Sequence, residues 1–201
     1  NISVSKGTIR AVKPTGPLVA FVGDSITAGC WVRSKTPSIG YGADINYAAQ
    51  LSRALNWEDY RIAYSAAGII RYGTGGVPPA GKFLRYVNFN IKAPPINPDL
   101  VLINLGTNDY RYDDDVFEMY FVWFLKEVQN QFPHSRIIVI MPFNQAHHLV
   151  IERVIHTLKL ELIPTSDWSI ETNDEVHPNE HGSKIIANHL IDWFTETKNK
   201  L

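Results

Sequence analysis

Leu18-Val19-Ala20-Phe21-Val22 runs directly into Gly23-Asp24-Ser25-Ile26. Five consecutive apolar residues fit a short strand buried on both faces, as strands of a parallel sheet are. A buried strand that ends in Gly-Asp-Ser places a serine hydroxyl at the carboxyl edge of a sheet, where open α/β folds hold ligands and chemistry. Gly23 has no Cβ, so the chain can turn sharply there and other groups can approach its backbone. A helix or tight turn starting after Ser25 leaves the Ser25 N–H as a free donor. Taken alone, Gly-Asp-Ser is equally an ordinary turn with an Asp cap.

Three later segments change the balance. Ser65-Ala66-Ala67-Gly68-Ile69 follows the strand-like Tyr60–Tyr64, and Gly106-Thr107-Asn108-Asp109 follows the strand-like Leu100–Leu105. Asp174-Glu175-Val176-His177-Pro178 precedes a final helical pattern. Each polar segment ends an apolar run or adjoins a helix start, so a parallel sheet brings all four to one edge. Ser, Gly, Asn and Asp-x-x-His meeting there make a complete acyl-transfer site.

On these four blocks the chain resembles the SGNH hydrolases, also called the GDSL esterase/lipase family. The resemblance spans roughly residues 17 to 195, with Ile26 where Leu is commonest. It implies a three-layer α/β/α domain with a five-stranded parallel sheet of flavodoxin-like kind. It implies Ser25 as nucleophile, His177 as general base and then acid, and Asp174 as the group that orients the imidazole. Glu175 is the alternative orienter. The implied oxyanion donors are the Ser25 N–H, the Gly68 N–H and the Asn108 side-chain amide. Block two is the loosest, because Gly73, Gly75 and Gly76 follow Gly68 closely.

The chain has 201 residues, 45% hydrophobic and 19% charged, with a net charge of −1. That length suits one domain with one sizeable core. The charge leaves no electrostatic footprint for nucleic acid or an anionic membrane. No apolar run approaches the ~20 residues of a membrane-spanning helix. Cys30 is the single cysteine, so no internal disulfide forms, and no base is placed to activate it as a nucleophile. The chain begins at Asn1, which suggests a processed, trimmed or longer parent protein.

Residues 1–17 alternate Ile2, Val4, Ile9 and Val12 with Gly7, Pro14, Gly16 and Pro17, and read as a strand or linker arm before a catalytic domain at 18–201. Beyond them strands are expected near 18–22, 60–64, 100–105, 136–141 and 159–163. Helices are expected near 42–55, 113–131, 147–158 and 179–197. Val116, Tyr120, Trp123 and Glu127/Val128 keep helical spacing. Asp113-Asp114-Asp115 marks a helix start by complementing its dipole. Pro178 holds His177 extended and suits the first helical position.

His147 and His148 have no Cys or acidic partner at metal-ligand spacing, and read as a helix start or pocket wall. Neither a metal nor a cofactor is implied. Asp24, Trp31, Tyr72 and Tyr110 are the candidate substrate contacts, because flat aromatic faces suit sugar rings. The leading expectation is an exported, monomeric serine esterase that deacetylates a carbohydrate. The alternatives are a lipase or thioesterase for longer chains, a sugar O-acyltransferase, or a carbohydrate-binding or structural module of a surface or phage-tail assembly.

Overall fold

The computed structural model describes residues 3–10, 13, 15–87 and 90–197. Five strands form one parallel sheet: β1 (Leu18–Gly23), β2 (Glu58–Ala63), β3 (Leu100–Asn104), β4 (Arg136–Ile140) and β5 (Glu161–Ile163). Their order is β2-β1-β3-β4-β5. The chain moves outward from β1 to β2, then crosses back to β3 on the other side. That reversal opens a crevice at the carboxyl ends of β1 and β3, where ligands sit in doubly wound sheets. Gly23 pairs in register with Ala63 on one side and Asn104 on the other. The blocks that follow β1, β2 and β3 therefore start side by side.

The helices are α1 (Ser25–Ala28), α2 (Tyr47–Leu55), α3 (Ala80–Phe83), α4 (Asp114–Gln131), α5 (His148–Leu158) and α6 (Glu180–Thr197). They cover both faces of the sheet. Ala20, Val22, Val101, Ile103 and Val139 face Phe117, Phe121, Phe124 and Ile151 of α4 and α5. Val19, Phe21, Leu102 and Ile138 face Leu51, Ile186, Leu190 and Phe194 of α2 and α6. Successive strand residues alternate between the two cores, which is why the strands read as unbroken apolar runs.

Several expected boundaries shift, each for a local reason. α2 begins at Tyr47 rather than residue 42, because Asn46 accepts a hydrogen bond from the Ala49 N–H at 3.2 Å and caps the helix. The Asn46 side chain also donates to the Thr27 carbonyl at 2.8 Å, tying this cap to the turn that carries Ser25. α6 opens behind Asn179, which accepts from the Gly182 N–H at 2.8 Å. Pro178 is not the first helical residue; it pairs with Thr172 in a short antiparallel bridge.

Packing sorts the apolar residues of α4 into two faces. Val116, Tyr120 and Trp123 lie on its outer face, between 37% and 39% exposed, while Phe117, Phe121, Phe124, Leu125 and Val128 are buried. Both stripes have helical spacing, and the sheet takes the one with more phenylalanine. No strand forms in the described part of residues 3–17, where Val4 and Ile9 are exposed. Ile2, Val12 and Pro14 lie outside the described residues.

Candidate active site

The turn after β1 is built by close packing. A Cβ on Gly23 would fall 2.0 Å from Thr27 Oγ1, so only glycine fits. Asp24 is fully buried and accepts from the Ile26 N–H at 2.9 Å, capping α1. Ser25 is thereby the first residue of α1. First-turn N–H groups have no intrahelical acceptor, and that of Ser25 donates to no described acceptor.

The loop before α6 delivers the other half. His177 Nε2 lies 2.8 Å from Ser25 Oγ. His177 Nδ1 lies 2.8 Å from Asp174 Oδ2. Asp174 Oδ1 also accepts the backbone N–H of His177 at 2.6 Å and of Val176 at 3.2 Å. One carboxylate thus fixes both the loop and the ring. With Nδ1–H donating to Asp174, Nε2 is left as the acceptor for the serine proton. Burial pushes the Asp174 carboxyl up. The His177 backbone N–H and imidazole, with the Val176 N–H, outweigh that and hold it below the usual range. Glu175 is exposed at positive φ, so Asp174 rather than Glu175 orients the ring. The edge of Trp31 packs on the imidazole, with ring centroids 5.0 Å apart. Asn173 anchors this loop by donating to the Trp31 carbonyl at 2.6 Å.

The loops after β2 and β3 close the opposite side. Asp109, folded back from β3, accepts the N–H groups of Ile69, Ile70 and Arg71 at 2.7, 3.0 and 3.0 Å. Gly68 is pressed against that carboxylate: a Cβ there would lie 2.4 Å from Asp109 Oδ1. Its N–H donates to the Arg71 carbonyl at 3.0 Å. Gly68 is therefore a packing glycine, and its N–H is not free for an oxyanion. Ala66, two residues earlier, lines the cavity at φ +60° and its N–H donates to no described acceptor. The loop geometry thus offers Ala66 as the donor in the place that the family resemblance implies for Gly68. Nothing in the local sequence marks Ala66, an ordinary alanine one residue after Ser65.

Asn108 does reach the cavity. Its amide nitrogen donates to the Ala67 carbonyl at 3.0 Å and to Asp24 Oδ2 at 3.1 Å. Its oxygen accepts from Arg71 at 3.4 Å, which fixes the orientation of the amide. An oxyanion would draw one amide proton from those two acceptors. Burial pushes the Asp24 carboxyl up to about 7, against the Ile26 N–H, with the nearby Asp109 adding to the rise. Burial also raises Asp109, outweighing its three N–H donors.

Ser25, His177, Asn108 and Ala66 share a cavity of about 740 Å³. Trp31, Tyr41, Tyr110, Arg71, Thr74 and Asn144 are among its walls. Two candidate substrate contacts fall elsewhere. Asp24 is buried beneath the site, and Tyr72 lines a separate groove. Cys30 is a buried wall residue whose thiol burial pushes up, the wrong direction for a nucleophile. Neither His147 nor His148 lines the cavity. His147 stacks on Phe117 and bridges Asp114 and the Asp109 carbonyl, at 2.6 and 3.0 Å. Asn144 is a wall residue that no motif announced.

The family model of the GDSL-like lipase/acylhydrolase family matches residues 21–185, which include all four blocks. The chain belongs to this family. It is a hydrolase of the SGNH esterase type with the fold of that group. Among similar solved structures is a family two carbohydrate esterase from Clostridium thermocellum in complex with cellohexaose. It is 25% identical, with TM-score 0.76, over 96% of this chain and 66% of that one. Another is a carbohydrate esterase family 2 enzyme plus carbohydrate-binding domain from Corynascus thermopiles (Myceliophthora fergusii). It is 19% identical, with TM-score 0.79, over 99% and 71% of the two chains. A third is an acetyl xylan esterase from the rumen bacterium Butyrivibrio proteoclasticus, 17% identical, with TM-score 0.72, over 95% and 66%. The present chain thus spans about two thirds of the length of these neighbours. No curated protein matches it.

Proposed function

We propose that this protein is a serine esterase that removes acetyl or similarly short acyl groups from a carbohydrate. The observation that carries the reading is the continuous contact from Asp174 through His177 to Ser25, at a cavity lined by Ser25 and Ala66, whose N–H groups donate to no described acceptor. His177 Nε2 takes the Ser25 proton as Oγ attacks the acyl carbon. The carbonyl oxygen becomes an oxyanion facing the N–H groups of Ser25 and Ala66 and the Asn108 amide. Preorganised donors of this kind are worth ~3–4 kcal/mol each. Collapse breaks the ester C–O bond, and the imidazolium returns its proton to the departing alcohol. Water, deprotonated by the same imidazole, then attacks the acyl-enzyme and releases the acid.

Two observations favour a sugar ester over a lipid. Ser38, Ser65, Arg71, Thr74 and Asn144 give the cavity hydrogen-bonding walls between its aromatic ones. The structural neighbours include several carbohydrate esterases. Residues 18–201 would form the catalytic domain and residues 1–17 an arm, and a polysaccharide substrate would put the enzyme outside the cell. Acetate release from a panel of acetylated polysaccharides, with Ser25→Ala beside wild type, tests the reading. Release by wild type alone supports it. No release from any polymer, with hydrolysis of a longer-chain aryl ester, transfers the site to the lipase reading.

A further inference from the structure

A second concavity, of about 790 Å³, lies beside the catalytic one. Tyr64, Tyr72, Phe83, Tyr86 and Trp123 line it, with the ion pair of Arg85 and Glu127 and the Lys82 side chain. Tyr72 is 61% exposed and Trp123 39%. Phe83 and Tyr64 belong to or pack on the core and form the groove's floor, whereas Tyr72, Tyr86 and Trp123 are exposed, Trp123 on the outer stripe of α4. Glycine shapes the groove around it. A Cβ on Gly81 would fall 2.3 Å from the Trp123 ring, so α3 lies flush against the indole only because residue 81 has none. Gly75 and Gly76, both at positive φ, have open space where a Cβ would stand.

One short loop separates the two cavities. Arg71 and Thr74 line the catalytic cavity, whereas Tyr72, Gly75 and Gly76 line the groove. A chain molecule held in one is within a loop's width of the other.

We propose that this groove is a distal subsite for the same polysaccharide whose ester is cleaved at Ser25, an inference that rests on the carbohydrate reading above. Half-exposed tyrosine and tryptophan faces offer platforms for the apolar face of a pyranose. Arg85, Glu127 and Lys82 offer donors and acceptors for its hydroxyls. Pockets that combine aromatic walls with a few placed polar groups are the usual form of a small-ligand site. A polymer filling both cavities anchors its unreacted units away from the chemistry. The groove then acts on affinity for long substrates, and a single acetylated sugar does not feel it.

The test compares kcat/KM on an acetylated polysaccharide with kcat/KM on the corresponding acetylated monosaccharide. Trp123→Ala and, separately, Tyr72→Ala are expected to lower the polymer-to-monomer ratio about three- to tenfold each, mainly through KM on the polymer. Tyr72 stands on an exposed loop, so its variant keeps the test valid if Trp123→Ala does not fold. An unchanged ratio in Tyr72→Ala and in a folded Trp123→Ala, with wild type active on the polymer, overturns the subsite. It leaves the esterase reading standing. A wild type that cleaves aryl acetate but no polysaccharide overturns the carbohydrate reading itself, and the subsite with it.

Discussion

The two sides of the catalytic cavity are held by different means. The base side is a self-contained loop: Asp174, Val176 and His177 bond to one another across three residues, partly exposed. The oxyanion side is held from beneath. Asp24 and Asp109 are completely buried and tie the loops after β1, β2 and β3 together over sequence separations of about 40 and 84 residues. Carboxylates of one chain can thus do opposite jobs. Asp174, bonded to the His177 imidazole and backbone, is held toward its ionised form. Asp24 and Asp109 are drawn toward the neutral form by burial and serve the backbone.

The largest expected effect lies where the two sides meet. Ser25→Ala and His177→Ala should each lower kcat at least about a thousandfold with thermal stability nearly unchanged. Near-normal turnover in either variant, measured on an aryl acetate, would break the catalytic assignment. Asn108→Ala removes a donor from the oxyanion side and should cost ~100–1000-fold, chiefly in kcat. A loss confined to KM would assign the amide to substrate binding instead.

The buried Asp24 makes stability depend on pH. Folded Asp24 keeps its proton up to about pH 7, while its ordinary value is 3.8. Between those values the folded state binds more protons than the unfolded one, so stability falls as pH rises from about 4 to 7. The contribution is at most about 4 kcal/mol. Asp24→Asn should flatten that slope in denaturant titrations at pH 5 and pH 8. An undiminished slope would move the effect to other groups, Asp109 first. Asp174, with its value lowered, has the opposite sign and contributes stability that is lost only as acid protonates it.

The smallest effect sharpens the reading of the loop after β2. Ala66 has φ +60°, a backbone region that costs an L-residue about 1–2 kcal/mol. Ala66→Gly keeps the N–H and relieves that strain. It should change kcat less than about twofold and raise stability by up to about 1 kcal/mol. A hundredfold loss of activity would show that the alanine methyl itself shapes the site.

Much of this molecule was legible in its sequence. The unbroken apolar runs at 18–22, 100–105 and 136–141 read as buried strands, because a strand covered on both faces has no polar period to show. The Gly-Asp-Ser turn and Asp-x-x-His are local patterns whose geometry is set within a few residues, so the blocks and the family resemblance they carry could single out Ser25, Asp174 and His177. What tertiary structure decided was every choice between local equals. Helix α4 carries two stripes of helical spacing, and only packing against the sheet chose Phe117-Phe121-Phe124 and left Trp123 to a groove. Gly68 and Ala66 both stand in the right loop, and only the folded loop, held by Asp109 from β3, showed that the Gly68 N–H is taken by the Arg71 carbonyl while that of Ala66 donates to no described acceptor. A short-range pattern fixes a residue's own conformation. Which neighbour then covers it depends on chain segments tens of residues away.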